Sequence, residues 1–314
     1  MSEKIYFDLN GRYRNIVSKK LISHEINIDE KNEVINYLSS INYFKLKPYV
    51  KCIEEQMINS NDTFHFYDVI ELYKIDRRLR ASLIKIIEIV EISVKTFLVD
   101  FLHKDEDKSI FEYLDLNNFK SPENQNDKDK EIYDKFLNSL KQKINDIKNP
   151  KSQYYSNMTQ EEKNELNNYL RHENLPFWVI VERLDFGDIT SILKYISKRD
   201  LKEIFNKIGD ISYPIKNISV ALNGIRYIRN MCSHNSRLYN QSIKYCMPKS
   251  MVSNLSNSIG LIRYLMFIKL FVEKYDSKSW IKFCEELDEI LNSHKVVNTS
   301  LLHFPDEYRD YLSS

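Results

Sequence analysis

The sequence predicts an all-α protein, a bundle of helices, and three observations lead there. Only 5 Gly and 7 Pro occur among 314 residues, too few for the tight turns of a many-stranded sheet protein or for a glycine-rich nucleotide loop. Apolar residues recur at three- and four-residue spacing over long stretches, with no strand-rich region and no internal repeat. Hydrophobic residues make up 42% of the chain, enough to bury a substantial core. The chain therefore reads as a single all-helical protein over residues 1–314, with a polar surface excursion around 104–129.

Each element has its own local signal. From Asp29 to Ser40 the segment DEKNEVINYLSS carries acidic residues where the first turn of a helix prefers them. The compact aromatic segment INYFKLKPYV follows and ends near Pro48, and its aromatics are expected to fill core. Between Phe64 and Phe101, Val69, Leu72, Leu79, Leu83, Ile86, Ile87, Val90, Val94 and Leu98 keep a helical period over many turns, the strongest such signal in the chain. Polar, proline-interrupted sequence from Lys104 to about Asp129 reads as the surface excursion. Helical patterns resume at Glu131 to Lys148, after Thr159, where Thr159 and Glu162 suit a capping box, and from Pro176 through Arg183. Short helices are expected after Gly187 and Ser197. A further helix should begin after Pro214, run past Leu222 and Ile228 and fray near His234 or Asn235, before two more at about Ser253 to Lys274 and Lys278 to Ser293.

Composition excludes several function classes. Lys+Arg 46 against Asp+Glu 45 gives a net charge of +1, so any nucleic-acid surface has to be a local patch. Cys52, Cys232, Cys246 and Cys284 lack paired spacing, against both a zinc ribbon and a secreted disulfide framework. The first residues, MSEKIYFDLNGRYRN, lack the apolar core of a signal peptide, and the most apolar run, Ile259 to Tyr275, is interrupted by Arg263 and Lys269. A soluble cytoplasmic protein with no membrane partner is expected. No P-loop, no H-E-x-x-H and no serine nucleophile elbow occurs, and neither a metal site nor a cofactor is expected.

The stretch RYIRNMCSHNSRLYN, Arg226 to Asn240, concentrates polar chemistry on an amphipathic helix. Ile218, Ala221, Ile225, Ile228 and Cys232 form its apolar face, while Asn223, Arg226, Asn230, Ser233 and His234 gather opposite. Arg229 and His234 diverge by about 140° on an ideal helix, so either the helix distorts at its end or two copies meet across an interface. Arginine offers a fixed fork of donors to phosphate oxygens, histidine moves protons near neutral pH, and RNA brings its own 2′-hydroxyl nucleophile. Spacing alone leaves a second reading open, in which the arginines make surface ion pairs and Asn230 and His234 end a helix. For Arg77 and Arg78, ordinary ion pairs with Asp76 and Glu71 are the expectation. Cys232 and His234 have no further ligand spacing to share a metal with.

This stretch resembles the R-N-x-x-x-H motif of HEPN-domain ribonucleases, and its continuation SHNSRLYN is similar to that of the Abi-like abortive-infection family of AbiD/AbiF type. INYFKLKPYV at Ile41 to Val50, LYKIDRRLRASLIKIIEIVEISVKT at Leu72 to Thr96, LPFWVIVERLDFGDIT at Leu175 to Thr190 and FPDEY at Phe304 to Tyr308 agree with that family in order. The resemblance implies a HEPN-type core with additional helices, and a metal-independent endoribonuclease acting as a phage-defence or toxin–antitoxin toxin. It implies Arg229, Asn230 and His234 as catalytic residues. In that scheme Arg229 holds the scissile phosphate, Asn230 orients phosphate or imidazole, and His234 transfers a proton. Glu91, rather than Glu88, is the candidate polar residue of the long helix facing the site, with Arg226 and Ser233 in support. RNA is the implied substrate, a small structured RNA the implied antitoxin and a homodimer the implied assembly. The alternative is a non-catalytic RNA-binding or interaction module using the same groove.

Overall fold

In the computed structural model of the chain, the described residues are 9, 11–12, 28–59, 65–104, 127–172, 175–209, 216–241, 243 and 260–313. Every regular element among them is helical, as the glycine-poor, period-rich sequence requires. In chain order they are α1 (Ile28–Ser40), α2 (Tyr43–Asn59), α3 (Phe66–Leu102), α4 (Asp127–Lys148), α5 (Gln153–Asn157) and α6 (Gln160–Asn167). Then come α7 (Phe177–Ile180), α8 (Phe186–Tyr195), α9 (Lys198–Phe205), α10 (Lys216–Ser233), α11 (Leu261–Leu291) and α12 (Tyr308–Ser313). Among the described residues no helix is long and apolar enough to cross a membrane.

α3 is the axis of the bundle. Its periodic residues Val69, Leu72, Leu79, Leu83, Ile87, Val90, Val94 and Leu98 are fully buried, and α11, α10 and α2 pack around it. Burial of one such side chain is worth about 1.5–3 kcal/mol, so this helix owes its stability to its neighbours rather than to local propensity. Towards the α3 C-terminus, Phe97, Phe205 and Phe271 bring α3, α9 and α11 together, with ring centroids 6.2 to 6.4 Å apart. α10 reaches α11 unusually closely at Gly224, where an added Cβ would lie 2.0 Å from the Tyr264 ring.

Several boundaries differ from the sequence reading. Pro48 lies inside α2 rather than ending a segment. Its missing N–H forfeits the bond to the carbonyl of Phe44, a residue 68% exposed. That exposure also sets Phe44 apart from the core role expected of the aromatics here. α8 starts at Phe186, before Gly187, because Asp185 caps it: the Asp188 amide donates to Asp185 Oδ1 at 2.9 Å and the Asp185 amide to Asp188 Oδ2 at 2.9 Å. Thr159 and Glu162 form the reciprocal capping box as predicted, at 3.2 and 2.7 Å. Of the polar excursion, residues 105–126 lie outside the described residues, and α4 already begins at Asp127.

The two expected carboxyl-terminal helices form one element, α11, broken at Asp276, whose φ of −153° and ψ of 69° leave the helical region. Its carboxylate accepts from the Ser279 amide at 3.1 Å and the Ser279 hydroxyl at 2.6 Å, capping the second half. The expected start at Ser253 lies outside the described residues, as do Pro214 and Cys246. Arg263 and Lys269, which interrupt the apolar run, are both buried, with Lys269 3.9 Å from Glu273. Cys52, Cys232 and Cys284 are free thiols.

Candidate functional site

The motif helix α10 buries Ile218, Ala221, Ile225, Ile228 and Cys232 against α3 and α8 and turns Asn230 and His234 to solvent. Its end is ordered rather than frayed. The Ser236 amide donates to the Met231 carbonyl at 2.8 Å and the Asn235 amide to the Cys232 carbonyl at 3.3 Å, the double bond of a Schellman termination. Asn235 holds the left-handed φ of 54° that this requires, a conformation asparagine tolerates better than most residues. His234 thus sits at the cap, its amide donating to the Asn230 carbonyl at 2.9 Å. The Lys45 ammonium donates to the Asn235 carbonyl, placing a cation at the negative end of the helix dipole.

The residues after the cap are anchored by Asp76 on α3. Its carboxylate, wholly buried, accepts from the Tyr49 hydroxyl at 2.6 Å, the Leu238 amide at 3.1 Å, the Tyr239 amide at 2.8 Å and the buried Arg80 guanidinium. Burial pushes the Asp76 pKa up, against the pull of Arg80 and the three other donors. Tyr239, also fully buried, accepts from the Asn298 amide at 2.7 Å and donates to the Asn298 carbonyl at 3.1 Å. Asp76 is therefore the keystone of SHNSRLYN, not a partner of Arg77 or Arg78. Glu71 bonds Lys74, and Arg78 lies 4.0 Å from Glu289. The Asp76-x-x-x-Arg80 spacing on a helix was the available signal for this pair.

The sequence-predicted site residues divide into two groups. Arg229 Nε lies 3.8 Å from Glu91 Oε2, and the other oxygen of Glu91 is 3.5 Å from Lys95 Nζ. Glu88 is exposed, one helical turn earlier. Arg226 points towards the N-terminus of α8, where an added Cβ at Gly187 would stand 3.4 Å from its Nη1. Asp185 lies in the same neighbourhood. Its burial raises its pKa, but the amides of Asp188 and Gly187 and the charges of Lys143 and Arg229 outweigh that and hold it below the usual carboxylate range.

Asn230 and His234 belong to the second group. With Tyr227, Met231, Ser236, Arg237 and Gln241 they line an open cavity of about 320 Å³ at the end of α10. Arg229 does not line it, in keeping with its divergence from His234 on an ideal helix, and neither do Arg226 and Ser233, although the helical wheel puts both on one face with Asn230 and His234. Within one chain the arginine beside His234 is Arg237, which the motif did not single out. Its Nη2 donates to Gln241 Oε1 at 3.3 Å and its Nη1 to Cys52 Sγ at 3.6 Å. Its only sequence signal was its place in the polar run just past the motif.

Among the described residues no three His, Cys, Asp or Glu side chains are grouped to hold a metal ion. Chemically, the cavity offers a proton carrier, an amide and a guanidinium within one open space, a set suited to a phosphodiester.

Comparison with curated proteins and with solved structures gives no significant match. The family profile of Abi-like proteins, by contrast, matches residues 36–240, which runs from α1 through α2 and α3 to the motif helix and the cavity at its end. On a match covering more than half its length, the chain belongs to the Abi-like protein family.

Proposed function

We propose that this chain is an endoribonuclease that cleaves RNA through 2′-hydroxyl attack and serves abortive infection as the toxin of a phage-defence or toxin–antitoxin system. Membership in the Abi-like family supports the defence role. The observation that carries the chemistry is the cavity at the cap of α10, where His234, Asn230 and Arg237 share one open space. His234 moves a proton between the 2′-hydroxyl, the phosphate and the leaving 5′-oxygen, and arginine stabilises the charge that builds on the phosphate. The attacking oxygen bonds phosphorus as the bond to the 5′-oxygen breaks, leaving a 2′,3′-cyclic phosphate.

Arg229 enters this scheme from a second copy of the chain. It does not line the His234 cavity of its own chain, and Glu91, whose other oxygen pairs with Lys95, holds its guanidinium on the neighbouring face. A twofold homodimer in which both α10 helices line one groove brings Arg229 of each protomer to the substrate held by the other. A small structured RNA would occupy the same groove as antitoxin.

The test is purified protein incubated with mixed cellular RNA. Wild type is expected to generate fragments ending in cyclic phosphate, with and without a chelator, and His234→Ala none. Activity lost on chelation and restored by a divalent ion would count against the mechanism, because 2′-hydroxyl attack needs no metal-bound water. A substrate with a 2′-deoxy nucleotide at the cut should bind and resist cleavage. Equal cleavage by wild type and His234→Ala would overturn the assignment.

A further inference from the structure

Arg237 also lines a second open cavity, of about 360 Å³, with Lys47, Pro48, Lys51, Cys52, Glu55 and Asn240. Arg237 is the wall the two cavities share. We infer that the second cavity is a subsite for a backbone phosphate flanking the scissile one, held by Lys47 and Lys51 of α2 with Arg237 between the two positions. The inference rests on the ribonuclease reading and adds a place on the protein for the strand as it leaves the cut.

Charge is the first reason. Three cations face one carboxylate in this cavity, on a chain whose net charge is only +1. Among the described residues no carboxylate is paired with Arg237, Lys47 or Lys51. The two groups Arg237 bonds, the Gln241 amide and the Cys52 thiol, are neutral, and burial pushes the thiol pKa up. The cationic charge thus stays available to an anion. Lys47 and Lys51 are also four residues apart on α2, so both reach the same face from exposed positions.

Register is the second reason. A flanking subsite is useful only if its distance from the catalytic cavity is fixed, and α2 is tied to the end of α10 on both sides of the lysines. Lys45 bonds the Asn235 carbonyl, Tyr49 shares Asp76 with the Leu238 and Tyr239 amides, and Cys52 receives both Arg237 Nη1 and Asn240 Nδ2 at 3.6 Å. These contacts bracket Lys47 and Lys51 in sequence. The backbone that carries the two lysines therefore cannot move relative to the end of α10 without breaking the buried Asp76 anchor.

RNA is the ligand the arrangement favours over a free anion, because the cavities are open and contiguous around one guanidinium rather than closed around one ion. The phosphate chain can pass from one to the other across Arg237, whose planar fork can bond oxygens on both sides.

The test uses single-stranded RNA made uncleavable by a 2′-deoxy nucleotide at the cut, titrated by fluorescence anisotropy over a range of salt. For single strands the slope of log K against log salt changes by about 0.7 per phosphate neutralised, so Lys47→Ala/Lys51→Ala, which loses the one flanking contact, is expected to flatten it by about 0.7. Glu55→Gln should tighten binding. With cleavable RNA the double variant should raise KM while leaving kcat near wild type, the mark of lost binding common to ground and transition states. A neutral methylphosphonate placed at each phosphate in turn should weaken wild-type binding at the scissile and one flanking position, and the flanking effect should vanish in the double variant. Wild type that binds and cleaves RNA, with a double variant of unchanged slope and unchanged methylphosphonate pattern, would overturn the subsite and leave the ribonuclease reading standing. Wild type that neither binds nor cleaves any RNA would overturn both.

Discussion

At His234 the chain does something local: it ends a helix, and the ending exposes an imidazole beside Asn230 at the mouth of a cavity. The Schellman turn makes this possible by reversing the backbone at Asn235 instead of letting it fray. Asn235→Gly should therefore keep stability and activity, whereas Asn235→Ala should lose about 1 kcal/mol, because alanine lacks the short polar side chain by which asparagine tolerates the left-handed region, measurable by chemical denaturation. Glu91 faces the Arg229 guanidinium across α3 and α10. Its pair with Arg229 is partly exposed, so Glu91→Gln should cost under about 1 kcal/mol of stability. If Arg229 works on RNA from the orientation Glu91 gives it, the same change should lower kcat by about tenfold or more, a split that a purely structural pair would not produce. Asp76 is the opposite case. Removing a wholly buried carboxylate leaves Arg80 buried and two amides without their acceptor, and Asp76→Ala should cost about 3–5 kcal/mol and abolish the cooperative unfolding of the SHNSRLYN region with it.

At the scale of elements, the site is held by helices that approach it from three directions. α3 supplies Glu91 near the C-terminal end of α10 and Asp76 beyond that end, so the two helices run antiparallel along the motif. α8 brings Asp185 and Gly187 to Arg226, and α2 clamps the cap. The close approach at Gly224 fixes the remaining side against α11. Gly224→Ala would drive a methyl into the Tyr264 ring and should destabilise by about 1–3 kcal/mol, seen as a lower thermal midpoint. Because α10 would have to shift to admit it, the variant should also lose cleavage faster than it loses fold, which comparison of the two at a temperature below the midpoint checks.

For the whole molecule, acid is the informative stress. Arg309 and Tyr308 hold the Asp288 carboxyl below its ordinary range, and Ser82 and Lys85 do the same for Glu286 against the upward push of its partial burial. Asp185 is depressed as well. A carboxylate whose folded pKa is lowered contributes stability that is present above its unfolded value and is lost as pH falls through the folded one. The thermal midpoint should thus stay level down to about pH 5 and fall below about pH 4. The carboxylates are partly exposed, so added salt should shrink the effect. Assembly belongs to this scale too. Sedimentation over a range of concentrations should show dimers wherever cleavage is seen, and a fully active monomer would defeat the twofold groove. Mixing Arg229→Ala with His234→Ala subunits should restore activity in part, since the heterodimer regains one groove half with both residues.

Much of the frame was legible in the residues alone. The period of Val69 through Leu98 located α3, the capping pair at Thr159 located one short helix, and the wheel of Ile218 to Cys232 gave the buried face of α10, because helix formation and its stop signals are set by neighbours within a turn or two. The sequence also determined that Arg229 and His234 diverge, a consequence of helix geometry that needs no partner. It could not determine what each meets. That Arg229 faces Glu91 while His234 shares a cavity with Arg237, that Asp76 ties two amides 162 and 163 residues away, and that α2 lays Lys47 and Lys51 alongside the motif are decisions of tertiary packing. Apart from the His234–Arg237 neighbourhood, those contacts join segments far apart in the chain, and they are chosen only when the apolar faces of α2, α3 and α10 are buried together, since a charged side chain has no local preference strong enough to name a distant partner.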